Sequence, residues 1–94
     1  MLFAIVCHDK PDSLSLRMDN RPEHVDYLKG FNDRIVIAGP MLSDDGESPV
    51  GSLLIMDLED LAAAKAFAAG DPFAKAGLFD SVSIRPYRKT FPQA

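Results

Sequence analysis

The chain has 94 residues, a formal net charge of −4 and a single cysteine. A length like this holds one hydrophobic core, so one domain over residues 1–94 is expected. The charge argues against nucleic acid or an anionic membrane as partner, since both need a basic face, and one cysteine excludes an internal disulfide or a cysteine-based zinc site.

In chain order, Leu2–His8 (LFAIVCH) is a compact apolar run that reads as a strand. Its apolar part is too short for a signal-peptide core and lacks a basic flank, and nothing approaches the roughly 20 apolar residues of a membrane span. The expectation is a cytoplasmic protein. After the turn DKPDS, the stretch SLSLRMDN reads as a short helix capped by Asp12 or Ser13. A second helical piece starts at Asn20, with Glu23 at capping-box spacing and Pro22 in its first turn, and ends at Gly30. Arg34–Met41 (RIVIAGPM) reads as a strand that stops at Gly39-Pro40, and LSDDGESPVG as a polar loop. Ser52–Leu58 is a third strand. The alanine-rich helix LEDLAAAKAFAAG follows, with Asp57 as candidate N-cap and Asp60 three residues on. It breaks at Gly70-Asp71-Pro72, where Asp71 can cap a single further turn. Leu78–Tyr87 is a fourth strand.

This order, β-α-β-β-α-β, is the ferredoxin-like α+β arrangement: an antiparallel sheet with its first and third strands central and two helices on one face. Ala63, Ala64, Phe67 and Ala68 supply the helix stripe that would pack on the sheet. Both central strands are apolar on both alternating faces, so the face away from the helices would be bare in a monomer. A homodimer packed sheet to sheet follows as the expectation. The alternative cover is the C-terminal segment Pro86–Ala94, which is short and partly charged.

His24, Tyr27, Leu28 and Phe31 share a helix face, so His24 looks inward and needs a partner. Arg17, Arg21, His24 and Leu28 fall near one line if the two helical pieces are collinear. A carboxylate at the helix break can cap with one oxygen and orient an imidazole with the other. The plainer readings are that His24 bonds a backbone carbonyl and that Asp71 is only a cap. Cys7, in a central strand, reads as inert core. His8 and Asp9 are candidates for lining a cleft mouth, and Gly39 and Pro40 for shaping a strand end.

The segments DKPDSLSLRMDNRPEHVDYL, IAGPM and GDPFAKAGLFDSVSIRPY resemble the YciI-like (YCII-related) family. The motifs R-P-x-H, A-G-P and D-P-F-x-x-A-G occur in that order, and the resemblance covers Leu2 to about Tyr87. It implies a dimeric α/β-barrel form of the ferredoxin-like fold, similar to muconolactone isomerase and antibiotic-biosynthesis monooxygenases. It also implies a His–Asp pair in a cleft, carried here by His24 and Asp71 as catalytic residues. Gly70 departs from the alanine more usual before the aspartate.

Such a pair has no serine or cysteine nucleophile beside it, and so suits general acid–base chemistry of the lyase or isomerase kind. The substrate would be a small organic molecule, cyclic or aromatic. Arg17 and Arg21 are candidate substrate-binding residues for a carboxylate or phenolate, with solvated surface charge as the alternative, and Ser52 is a weaker polar candidate. No cofactor and no metal is expected. The alternative function is a non-catalytic ligand-binding or regulatory dimer built on the same cleft.

Overall fold

The computed structural model describes residues 1–93. Strand β1 (Leu2–Asp9) is followed by helix α1 (Leu14–Lys29), strands β2 (Ile35–Leu42) and β3 (Pro49–Asp57), helix α2 (Leu61–Gly70), the single turn α3 (Pro72–Lys75) and strand β4 (Phe79–Tyr87). The four strands form one antiparallel sheet in the order β2-β3-β1-β4, so the first and third strands are central, as the ferredoxin-like order requires. No helix among the described residues is long and apolar enough to cross a membrane.

Alternation along the central strands divides the sheet into two unlike faces. Phe3, Ile5 and Cys7 of β1 point to the helices with Ser52, Leu54 and Met56 of β3, and all six are buried. Ala64 and Phe67 of α2 complete that core. The opposite face carries Val6 beside Leu53, and Ala4 and Ile37 beside Ile55. Ile37 is 59% exposed there and Leu53 39%. The chain after β4 leaves this face open: residues 88–93 are themselves exposed.

Four local expectations are corrected. The two helical pieces are one helix, running through Pro22. Asn20 caps nothing; its side-chain amide bonds back to Leu16 O at 2.9 Å. A proline inside a helix costs on the order of 3 kcal/mol, and here buried Arg17 and His24 anchor the helix to the sheet side and to α3 on either side of it. Gly30 ends α1 with right-handed backbone (φ −66°), so it is not a left-handed C-terminal glycine. The N-cap of α2 is Asp60, accepting from Ala63 N at 2.8 Å, whereas Asp57 closes β3. Strand β2 continues through Gly39-Pro40 to Leu42; it is an edge strand, where a proline's missing N–H is tolerated.

Candidate active site

Because α1 is unbroken, residues spaced three and four apart align along one side of it. Arg17, Arg21, His24 and Leu28 form that line, and all four border a cavity of about 350 Å³ between α1 and the β2–β3 side of the sheet. Met18 and Val25 add apolar wall from the helix, and Ala38, Pro40 and Leu54 from the strands. The cavity is therefore mostly greasy, with its polar groups gathered on the helix and at Ser52.

Gly70, Asp71 and Pro72 do not border the cavity; the helix break lies behind His24. There Asp71 caps α3, its Oδ1 accepting from Phe73 N at 2.9 Å, with Pro72 in the first turn. The same Oδ1 stands 2.8 Å from His24 Nδ1. One oxygen thus does both jobs, where division between the two oxygens was expected. A carboxylate can only accept, so His24 Nδ1 carries the proton of this bond. His24 borders the cavity, and Nε2 is the ring nitrogen that Asp71 leaves free. The Phe73 ring stacks on the imidazole, centroids 3.9 Å apart and 15° from parallel, so the ring is held in plane as well as at one edge. Both partners are buried, His24 at 9% and Asp71 at 4% exposure, which strengthens the bond by keeping water from it.

Arg17 is not surface charge. It is 4% exposed, its Nε and Nη2 fork onto Asp9 at 2.7 and 3.0 Å, and Nη2 also donates to Ser52 Oγ at 2.8 Å. Its guanidinium carbon lies 4.5 Å from the centre of the Phe73 ring. Phe73 therefore braces both Arg17 and His24, two helical turns apart on α1. Arg21 is exposed at the cavity edge and makes no salt bridge among the described residues. Ser52 is buried and serves Arg17 from the floor.

His8 is an exposed residue on the opposite sheet face, paired with Gly51 and Ser81, and does not border the cavity. Its neighbour Asp9 points the other way and clamps Arg17, so alternation separates two residues expected together. Cys7 is buried beside this network. Burial, reinforced by the Asp71 charge and opposed by Arg17, pushes its thiol up to about 12, so it is no nucleophile at neutral pH. Phe73 was not expected at the site, although an aromatic two residues after a capping aspartate was a visible signal. Asp9 was expected at the site, but the clamp on Arg17 was not visible.

Comparison with known proteins agrees with this architecture. The YCII-related domain matches residues 1–88. The chain belongs to the YCII-related family. The YciI protein of Escherichia coli is 40% identical over 98 residues, covering 97% of this chain and all of that one. Among solved structures, a 5-chloro-2-hydroxyhydroquinone dehydrochlorinase from Burkholderia phenoliruptrix, in complex with 2,5-dihydroxybenzoquinone, superposes with a TM-score of 0.87 at 37% identity, over 94% of each chain. An antibiotic biosynthesis monooxygenase shares the fold alone, with a TM-score of 0.55 at 15% identity over 95% of this chain and all of the other.

Proposed function

We propose that this YCII-related protein is a general acid–base enzyme acting on a small, planar, oxygenated ring. The observation that carries the reading is the buried 2.8 Å bond between Asp71 and Nδ1 of a histidine that itself borders an apolar cavity. His24 takes or delivers the proton through Nε2. Asp71 is a positioning residue, for it reaches the substrate only through the imidazole: it fixes the tautomer and stabilises the cation formed when the ring is protonated. Arg21 receives an anionic oxygen of the substrate at the cavity edge. Arg17 offers Nη1, which has no partner among the described residues, while Ser52 holds the guanidinium in place.

The dehydrochlorinase likeness supports one reaction class. Loss of HCl from a chlorinated trihydroxybenzene is redox-neutral and needs only proton transfers. One ring hydroxyl gives up its proton, and a proton is delivered to the carbon bearing chlorine. Chloride then leaves with its bonding pair as a second hydroxyl proton departs, leaving a hydroxyquinone. A single imidazole at one edge of an apolar cavity is equipped for these steps. The protein works as a cytoplasmic homodimer, whose two sheets cover the apolar face that carries Ile37, Leu53 and Ile55.

The test is incubation with 5-chloro-2-hydroxyhydroquinone under anaerobic conditions, following chloride release and quinone absorbance. Turnover that His24→Asn reduces at least 100-fold is expected. Saturable binding of the substrate without any turnover would replace the enzyme reading by that of a ligand-binding dimer.

A further inference from the structure

Helix α1 grips the end of α2 at two points, and only one of them is the His24–Asp71 bond. We propose that Tyr27, with Gly70 facing it, is a positioning residue that ends α2 at the place where Asp71 has to begin. In a continuing α-helix the carbonyl of Phe67 would accept the amide of Asp71. Here Asp71 N turns back to Ala68 O at 3.3 Å, and Phe67 O accepts instead from the Tyr27 hydroxyl at 2.9 Å. The phenol thus satisfies a carbonyl that the break leaves over. Tyr27 lies one turn along α1 from His24, so the segment that carries the imidazole also fixes the carbonyl four residues before its carboxylate partner.

Gly70 has its reason in the same contact. Its backbone is not left-handed, so alanine would suit the helix better than glycine there. A Cβ at this position would stand 2.5 Å from the Tyr27 hydroxyl oxygen and 3.3 Å from Cζ. Glycine after a run of alanines is the space the phenol occupies. The ring is steadied by Phe31 and Phe67, at centroid distances of 5.2 and 5.4 Å. Burial and the nearby Asp71 charge raise the phenol's pKa, keeping it a donor.

The experiment uses the intact protein without substrate and reads the His24 Nδ1–H proton by nitrogen-edited NMR. In Tyr27→Phe its exchange with solvent should be roughly fivefold faster, as loss of one ordinary hydrogen bond implies, with the amide shifts of β1 and β3 unmoved. Gly70→Ala should produce a similar acceleration, because the methyl group displaces the hydroxyl. Gly70→Ala added to Tyr27→Phe should add little, since the clashing oxygen is gone; such non-additivity marks direct coupling. Unchanged exchange in Tyr27→Phe, or effects of the two substitutions that simply add, would overturn the proposal. Its consequence for turnover rests on His24 being the acid–base group, but the readout does not. Absence of turnover together with non-additive exchange would sink the enzyme reading and leave this one standing.

Discussion

Replacing Asp71 by asparagine separates the two jobs of one oxygen. Asparagine caps helices about as well as aspartate, so its Oδ1 can still accept from Phe73 N, and α3 keeps its start. The bond to His24 survives as a neutral one. Charge-assisted hydrogen bonds contribute about 1.5–3 kcal/mol and neutral ones about 0.5–1.5, so the fold should lose only about 1–1.5 kcal/mol. Asp71→Ala loses the cap, about 1 kcal/mol, together with the whole charged bond, for a total of about 2.5–4 kcal/mol. Turnover should respond quite differently. On the proposed mechanism an imidazolium formed during proton transfer would sit beside the Asp71 carboxylate; unit charges about 4 Å apart at an effective dielectric of about 20 attract by about 4 kcal/mol. Asparagine removes that term, and at about 1.4 kcal/mol per tenfold it caps the loss in kcat near 1000-fold. A fall of about 100- to 1000-fold in kcat, with KM changed less than about threefold, is the expectation. Urea unfolding and steady-state kinetics of the two variants test it together. An Asp71→Asn enzyme with kcat within threefold of the parent would mean that the carboxylate is only a helix cap.

Arg17→Met leaves Asp9 buried without its cation and should cost about 3–5 kcal/mol in urea unfolding; adding Asp9→Leu should recover a large part of that loss. The raised thiol of Cys7 predicts an alkaline limb. The folded protein retains a proton that the unfolded chain releases from about pH 9.0, so this stability is complete below that pH and is lost as pH rises toward 12, by up to about 1.4 kcal/mol per pH unit. Cys7→Ala should flatten that slope in unfolding measured between pH 8 and 10.5, whatever it does to stability at neutral pH. A charge on the open sheet face, as in Leu53→Glu or Ile37→Glu, should convert the dimer to monomer in sedimentation equilibrium. A wild-type protein that sediments as a monomer at micromolar concentration would refute the dimer outright.

Much of the fold was legible because it rests on period and punctuation. Near-continuous apolar runs in LFAIVCH and SLLIMDL mark central strands, and Gly70-Asp71-Pro72 marks a helix end and a new cap. What was not legible depends on partners far away in sequence. Pro22 reads as a helix start because local cost argues for a break; the helix survives it because Arg17 finds Ser52, 35 residues on, and His24 finds Asp71, 47 residues on. The burial of Arg17 was hidden for another reason: Asp9 is only eight residues away, but the turn between them had to be built before the two could be seen to meet.

The same distinction explains why the site could be narrowed without being drawn. Helical spacing put Arg17, Arg21, His24 and Leu28 on one line only on condition that the helix was continuous, and that condition is met by the site's own contacts. Phe73 is placed by Asp71 through its amide, and it stacks in turn on His24 and lies against Arg17. The interrupted helix is thus not a defect in a good alanine run. It turns Asp71 and Phe73 toward α1, and those two residues hold the imidazole by its edge and by its face, while Tyr27 holds the end of α2. Restoring a continuous helix there, for instance with Asp71→Ala and Pro72→Ala combined, should raise local helix propensity and yet destabilise the protein, because His24 would lose the partner that anchors α1 beyond Pro22.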